Sequence, residues 1–324
     1  MINFCTLFDS NYLDRGLALY YSLCNVSKDF HLFVMAFDKK AYDVLKAKEC
    51  ESLTVELLDD FETPELLAVK PTRSRAEYCW TCGPSIIHHF LTENNLESIT
   101  YIDADMIFYH DPQILFDEIG DADIAVSPHF IEHESAGNYC VQFNFFRNSE
   151  EGLKALTWWR DRCIEWCYYK YEGYKFGDQG YVTKFPELFN NVHVMEHRGT
   201  GVASWNMNCY DIDFNKKQLT FNSKVYPIVF FHYHGVYISI ENGIMIMDTN
   251  EFDVEKGAQT EIYSTYLQTL CDIRNKELSQ QIESFSIHPR SSIKRFDFWL
   301  RAQFRDNKIA RWVVYNIFKK KNIK

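Results

Sequence analysis

An α/β fold built on a mainly parallel sheet is what this sequence predicts, and three observations predict it. Apolar, β-branched runs alternate with segments of helical spacing over the first hundred residues, the pattern of βαβ units. The chain has 324 residues, 46% hydrophobic and 24% charged, enough for one large α/β domain or two ordinary ones. The stretch ITYIDADMIFYHDP, residues 99–112, sets Asp103 and Asp105 at the carboxyl end of a strand-like run, where open α/β sheets collect their ligands.

The elements follow in order. INFCTLF (2–8) is the first expected strand. LDRGLALYYSLCNV has helical spacing at Leu13, Leu17, Tyr20, Tyr21 and Cys24. HLFVMAF (31–37) predicts a strand, 39–48 a helix and LTVELL (53–58) a strand. Residues 75–93 predict a helix interrupted near its middle by Gly83-Pro84. The strand carrying the two aspartates comes next. IAVSPHF (124–130) and YCVQFNFFRN (139–148) predict strands, and 150–169 a Trp-rich helix. KFGDQGYVTKF (175–185) predicts a loop entering a helix, YPIVFFHYHG (226–235) a strand ending in histidines, and 251–283 a mostly helical segment. No repeat or linker precedes about residue 290, so the expected division is a domain over 1–289 and a basic, aromatic, helical tail over 290–324.

Charge narrows the function classes. The net charge of −11 argues against a general nucleic-acid binder. It is unevenly spread: residues 290–324 hold eleven Lys/Arg and two Asp/Glu, a balance of +9, which leaves −20 for the other 289 residues. The start, MINFCTLFDS, lacks the cationic opening and long apolar core of a signal peptide, and no run reaches the ~18 apolar residues of a membrane span. The ten scattered cysteines then read as reduced, packing thiols of a cytoplasmic protein. CWTC (79–82) has a redox or metal spacing, but no second pair and no thioredoxin-like context.

Two carboxylates one residue apart repel each other and resist desolvation. A divalent cation between them removes the conflict, and Mg²⁺ and Mn²⁺ favour such hard oxygen ligands. The plainer alternative is that one aspartate caps the following turn and the other is solvated. FFHYHGV places His232 and His234 after an apolar run, and imidazole suits Mn²⁺ better than Mg²⁺. The alternative there is a histidine that packs and hydrogen-bonds locally.

Taken together, FCTLFDSNY (4–12), YIDAD (101–105), FGDQ (176–179) and HYHG (232–235) resemble, in the same order, the motifs of metal-dependent glycosyltransferases of the GT-A fold. The layout is similar to family 8 enzymes and still more to their relatives in bacterial surface-polysaccharide clusters. The resemblance implies a Rossmann-like, mixed but mostly parallel sheet flanked by helices, and transfer of a sugar from a nucleotide-diphosphate donor, a UDP-sugar, to a glycan or lipid-linked acceptor. It implies Mn²⁺ or Mg²⁺ held by Asp103, Asp105 and His232. It assigns the donor side to Thr6, Asp9, Asn11, Tyr12, Arg75, Asp103, Ala104 and Asp105, and the catalytic role to Asp178 and Gln179. HRGTGVASWN (197–206) is similar to a Gly-rich loop of the same relatives and puts Trp205 and Asn206 beside the acceptor. The stereochemistry it implies is retention, with Asp178 the residue that an inverting enzyme would use as base.

The residues fit that chemistry. A cation acts as a Lewis acid for a leaving diphosphate. Asp9 can accept from a base N–H and the Tyr12 ring can stack on the base. Arg73 and Arg75 carry forks that suit phosphate or sugar oxygens, or else form an exposed basic helix start. Asp178 can meet a sugar hydroxyl or merely cap a helix. Two departures stand out. No lysine follows HYHG to hold a phosphate, and YCVQF (139–143) carries Cys140 and Gln142 where the relatives tend to have Asn and Gly, which bears on sugar recognition.

Other classes fit less well. A sugar nucleotidyltransferase needs a Gly-rich, basic loop after the first strand, and LFDSNYLDRG is not one. A haloacid-dehalogenase phosphatase carries its D-x-D on the first strand, whereas here the pair follows the fourth. A non-catalytic binding or scaffold protein remains the third class. In the tail, Phe296, Leu300 and Phe304, then Ile309, Val313 and Ile317, recur every four residues among basic side chains. That pattern fits amphipathic helices lying on the anionic inner face of the cytoplasmic membrane, or a helix packed on the domain with a solvated basic face.

Overall fold

The computed structural model describes residues 1–131, 137–241, 244–249 and 258–278. These fall into two units. The larger holds residues 1–234 and the last described helix; the other holds a hairpin of β14 (Val236–Glu241) and β15 (Ile244–Thr249), antiparallel with Val236 opposite Thr249.

The larger unit begins with β1 (Ile2–Phe8), α1 (Leu13–Val26), β2 (Phe30–Ala36), α2 (Lys39–Lys46) and β3 (Leu53–Leu57). Short helices α3 (Leu58–Phe61) and α4 (Pro64–Val69) lead to α5 (Arg75–Glu93), β4 (Ser98–Ile102), β5 (Met106–Phe108) and α6 (Gln113–Ile119). Then come β6 (Ile124–Pro128), β7 (Tyr139–Arg147), α7 (Glu150–Glu165), α8 (Gln179–Val182), α9 (Phe185–Leu188), β8 (Val192–Val194) and β9 (Val202–Ala203). A meander of β10 (Asp211–Asp213), β11 (Gln218–Phe221) and β12 (Lys224–Pro227) precedes β13 (Phe230–His232), and α10 (Ala258–Glu277) closes the unit.

The central sheet has seven strands in the order β3-β2-β1-β4-β7-β6-β8. The first four are parallel, β7 runs antiparallel to both of its neighbours, and β8 is parallel to β6. This is the mixed, mainly parallel α/β sheet that the sequence predicts. Every residue of β1 is buried, as expected where both faces of a parallel sheet are covered. Cys5 and Leu7 face α5 and α7, joining Cys82, Ile86, Phe90, Leu156 and Trp159. Phe4 points the other way, to Phe108 and Phe116 at ring distances of 5.7 and 5.9 Å, as the period-two alternation of a strand requires.

Three expectations change. The helix over 75–93 is continuous through Gly83 and Pro84. Its residues Thr81 to Ile87 are all buried, and that packing outweighs the one hydrogen bond proline removes. The stretch 226–235 is not one strand: β12 ends at Pro227 and β13 starts at Phe230, each in a different small sheet. The run 99–112 is also divided, β4 in the central sheet and β5 paired with β13 and β9. The aspartates therefore sit on the turn between two sheets rather than along one strand. Of 251–283, residues 258–277 are helical. The tail 290–324 lies outside the described residues. Among these, no helix is long and apolar enough to cross a membrane.

Candidate functional site

Strand pairing builds a compact cluster. Asp103 directly follows β4, and Ala104 (buried) and Asp105 form the turn that leads into β5. β5 is antiparallel to β13 with Met106 opposite His232, and the Tyr233 N–H donates to the Asp105 carbonyl at 2.9 Å. That register sets Tyr233 opposite Asp105 and His232 next to it along the strand. One nitrogen or oxygen from each of Asp103, Asp105 and His232 lies within 4.8 Å of the others. His232 Nε2 is 3.0 Å from Asp105 Oδ1 and 3.6 Å from Asp103 Oδ2.

The surroundings hold this arrangement in place. His232 is 3% exposed. Its Nδ1 lies 2.6 Å from Gln142 Oε1, and the Trp205 ring meets it edge-on at 5.4 Å. Tyr101 donates to Asp103 Oδ1 at 3.0 Å. Burial would raise the Asp105 carboxyl, but the His232 charge outweighs it, with His234 and Arg15 adding, and holds it at about 2. Burial would lower His232, yet Asp105 above all keeps it well above its ordinary value. Asp103 is raised by burial, with the Asp105 charge adding to the rise. Two carboxylates and an imidazole, converging from turn and strand, are the hard-oxygen and nitrogen donor set that Mn²⁺ or Mg²⁺ accepts. The residues present fit a divalent cation, and when it binds, it takes the place of the proton on His232 Nε2.

Asp178 occupies the N-cap position of the four-residue α8 but makes no side-chain capping bond. Its carbonyl accepts from Trp159 Nε1 at 3.0 Å, and the preceding Gly177, at φ +52, leaves room for the Trp80 ring. Burial first, and the charge of Asp103 second, push the Asp178 carboxyl up to about 8. Gln179 is the half-buried first residue of α8.

A second group forms where β1 ends. Asp9 accepts from the Asn11 N–H at 2.9 Å and the Asn11 side chain at 3.2 Å. Arg75, at the start of α5, reaches Asp9 at 2.6 Å and Asp38 at 3.2 Å. Tyr12 is 42% exposed, with the Arg15 guanidinium over its ring at 4.6 Å. Thr6 is fully buried inside β1, and its hydroxyl has no hydrogen-bond partner among the described residues. Arg73 turns elsewhere: it stacks over Tyr168 at 3.9 Å and donates to the Ile164 carbonyl at 3.1 Å.

On the other side, Trp205 is half-buried beside His232, His234 and His129. Asn206 is fully buried and its amide is committed to backbone: it donates to His129 and Gly201 carbonyls and accepts from the Ala203 N–H. Its part is to shape the loop that carries Trp205. Cys79 and Cys82 are helix-packing thiols raised by burial, Cys79 to about 12, and they form no disulfide.

Some neighbours were not legible as site residues. Arg274 of α10 pairs at 2.6 Å with Asp14 of α1, both buried, across 260 positions of sequence. Tyr266 of α10 stacks on Tyr233 at 3.7 Å, next to the residue that follows β13. Only the three-dimensional contact marks them, although the arginine inside an otherwise mixed helix was a weak signal. Gln142 stood out in sequence as a departure, but its side chain turns to His232.

A mostly parallel sheet with this strand order, a D-x-D turn at its carboxyl edge and a late histidine closing on it define the GT-A glycosyltransferase fold. Solved structures agree on the fold. Galactosyltransferase LgtC in complex with donor and acceptor sugar analogues superposes with a TM-score of 0.50 at 9% identity, over 84% of this chain and 96% of that one. The apo form of glycosyltransferase GlyE of Streptococcus pneumoniae TIGR4 gives 0.51 at 14% identity, over 85% of this chain and 63% of that one. No protein-family model matches the chain. Two Bacillus subtilis (strain 168) proteins, both named only as uncharacterized, are close in sequence: YfnD is 31% identical over 242 residues, 72% of this chain and 77% of its own, and YfnF is 31% identical over 265 residues, 78% and 87%. The chain belongs to the family of YfnD and YfnF.

Proposed function

We propose that this protein is a metal-dependent glycosyltransferase of the family 8 type that moves a sugar from a UDP-sugar to a glycan or lipid-linked acceptor, with retention. The observation that carries the reading is the convergence of Asp103, Asp105 and His232 within 4.8 Å at the carboxyl edge of the sheet. Mn²⁺ or Mg²⁺ bound there supplies charge neutralisation for the leaving diphosphate.

The chain's own residues divide the remaining work. Tyr12 offers an exposed ring for the uracil, and Asp9, steadied by Asn11 and Arg75, offers a carboxylate to a base N–H. Asp178, its carboxyl pushed up to about 8 by burial and by Asp103, is suited to keep its proton and donate a hydrogen bond to a sugar oxygen. A neutral acid is a poor base, which favours retention over an inverting role for Asp178. Burial is the larger cause of the Asp178 shift, so that part persists when a cation offsets Asp103. Gln179 follows on the same turn and Trp205 walls the acceptor side. The decisive screen is nucleotide release from UDP-, GDP- and dTDP-sugars with Mn²⁺, with and without candidate acceptors. Turnover with a UDP-sugar supports the reading, and tight GDP binding without UDP binding overturns the donor assignment.

The basic, aromatic tail over 290–324 is assigned to an anionic membrane surface, where each Lys or Arg contributes about 1 kcal/mol. Full-length protein is expected to sediment with anionic liposomes at low salt and leave them at high salt. A form ending at Pro289 that binds equally well contradicts this.

A further inference from the structure

We propose that Gln142 is a positioning residue of the cation site: a buried side chain that fixes which nitrogen of His232 faces the cation and holds that histidine in step with Asp103. The proposal rests on the metal-dependent reading above and concerns a residue outside the ligand set.

The first observation is the contact itself. Gln142 is fully buried and its Oε1 lies 2.6 Å from His232 Nδ1. A carboxamide oxygen only accepts, so Nδ1 must carry the hydrogen and Nε2 is left to the cation. The amide orientation is consistent, since Gln142 Nε2 lies 3.5 Å from the Ser127 hydroxyl. Ser127 follows a register shift in the pairing of β6 with β7, between Val126 and Ser127. Bulges of this sort re-aim a side chain.

The second observation is that Gln142 touches two ligand residues at once. Its backbone carbonyl accepts from the Asp103 N–H at 3.3 Å while its side chain accepts from His232. Asp103 leaves β4 and His232 ends β13, strands of two different sheets. Gln142 is thus a strut between the sheets, and its length sets the gap that a cation must fill.

The third observation is room made for it elsewhere. Gly201 has φ +73, and a Cβ there would stand 2.3 Å from Gln142 Nε2 and 3.1 Å from the Ser127 hydroxyl. Any side chain at 201 would push the carboxamide off its seat. The glycine of HRGTG is therefore explained by the glutamine it faces, on top of its left-handed backbone.

Partners that orient a metal-bound histidine commonly change metal affinity by about 10–100-fold when removed. The test is Mn²⁺ affinity, read by electron paramagnetic resonance of free Mn²⁺ on the full chain, with thermal melting alongside. Gln142→Met keeps the shape and removes the acceptor, and is expected to weaken Mn²⁺ binding by about 10–100-fold at an unchanged melting temperature. Gln142→Glu restores an acceptor at the same reach and is expected to bind within threefold of wild type or tighter. If Gln142→Met does not fold, Gln142→Asn, which withdraws the oxygen by one methylene, must show the same loss. Affinity retained in these acceptor-deleting variants while Asp105→Asn abolishes binding overturns the Gln142 assignment alone. Equal loss in Gln142→Met and Gln142→Glu also overturns it, because the effect is then packing. Wild type and Asp105→Asn binding Mn²⁺ equally poorly overturns the cation site, and the Gln142 assignment with it.

Discussion

Asp178 shows how burial, with a like charge nearby, can set the chemistry of a residue. A carboxyl removed from water near a second carboxylate keeps its proton to about pH 8 rather than 3.8. Because the folded protein then binds more protons than the unfolded chain across that window, stability falls as pH rises from about 4 to about 8. Urea unfolding of the metal-stripped protein between pH 5 and 9 is expected to show that fall, and Asp178→Asn, which has nothing to ionise, is expected to lessen it, leaving the part contributed by His232, which is also held above its ordinary value. Parallel curves for the two proteins would mean that Asp178 is already ionised in the fold. The candidate ligand residues were legible in sequence, since Asp103 and His232 each close an apolar run and Asp105 precedes another. Their partners differ: Tyr101 sits two residues before Asp103 on the same strand, whereas Gln142 reaches His232 from a strand of another sheet, and no local pattern records that.

Among elements, the D-x-D stretch is the most instructive. Period-two reasoning puts Asp103 and Asp105 on one face of one strand. The structure instead bends the chain at Ala104, sends β4 and β5 into separate sheets, and gathers both carboxylates on the turn. The apolar residues on either side satisfy both sheets equally well, so the sequence shows no break. Most strands and helices of the first hundred residues were readable from apolar runs and helical spacing; the short α3 and α4 were not. The short strands β8 to β11 were not, being two to four residues long with little period to read, and β12 and β13 were merged into one strand. Helix α10 is tied to α1 by Arg274 and Asp14, whose side chains are 5% and 1% exposed. Breaking one half of such a buried pair costs ~3–5 kcal/mol, since it strands the other charge. Arg15, also buried, pairs with Asp14 at 3.4 Å, so Arg274→Met is expected to lower the unfolding free energy by less than that in urea melts, and Asp14→Leu, which strands both arginines, by more. A single-variant shift within ~0.5 kcal/mol would show that the pair is screened or replaced by water.

At the scale of the larger unit, both faces of the sheet are covered and its carboxyl edge is left for polar groups, which is why Asp9, Asp103 and Asp105 all follow strands. Asp103, Asp105 and His232 are proposed to bind a divalent cation on which glycosyl transfer depends. The most direct measurement is the initial rate of nucleotide release from a UDP-sugar by EDTA-stripped protein, before and after Mn²⁺ is restored, for wild type and Asp105→Asn. The account predicts no turnover without the cation, recovery with Mn²⁺, and a rate about 10²–10³ lower in the variant, or ~3–4 kcal/mol of lost transition-state stabilisation. Full turnover in EDTA, or in a folded Asp105→Asn protein, would contradict it.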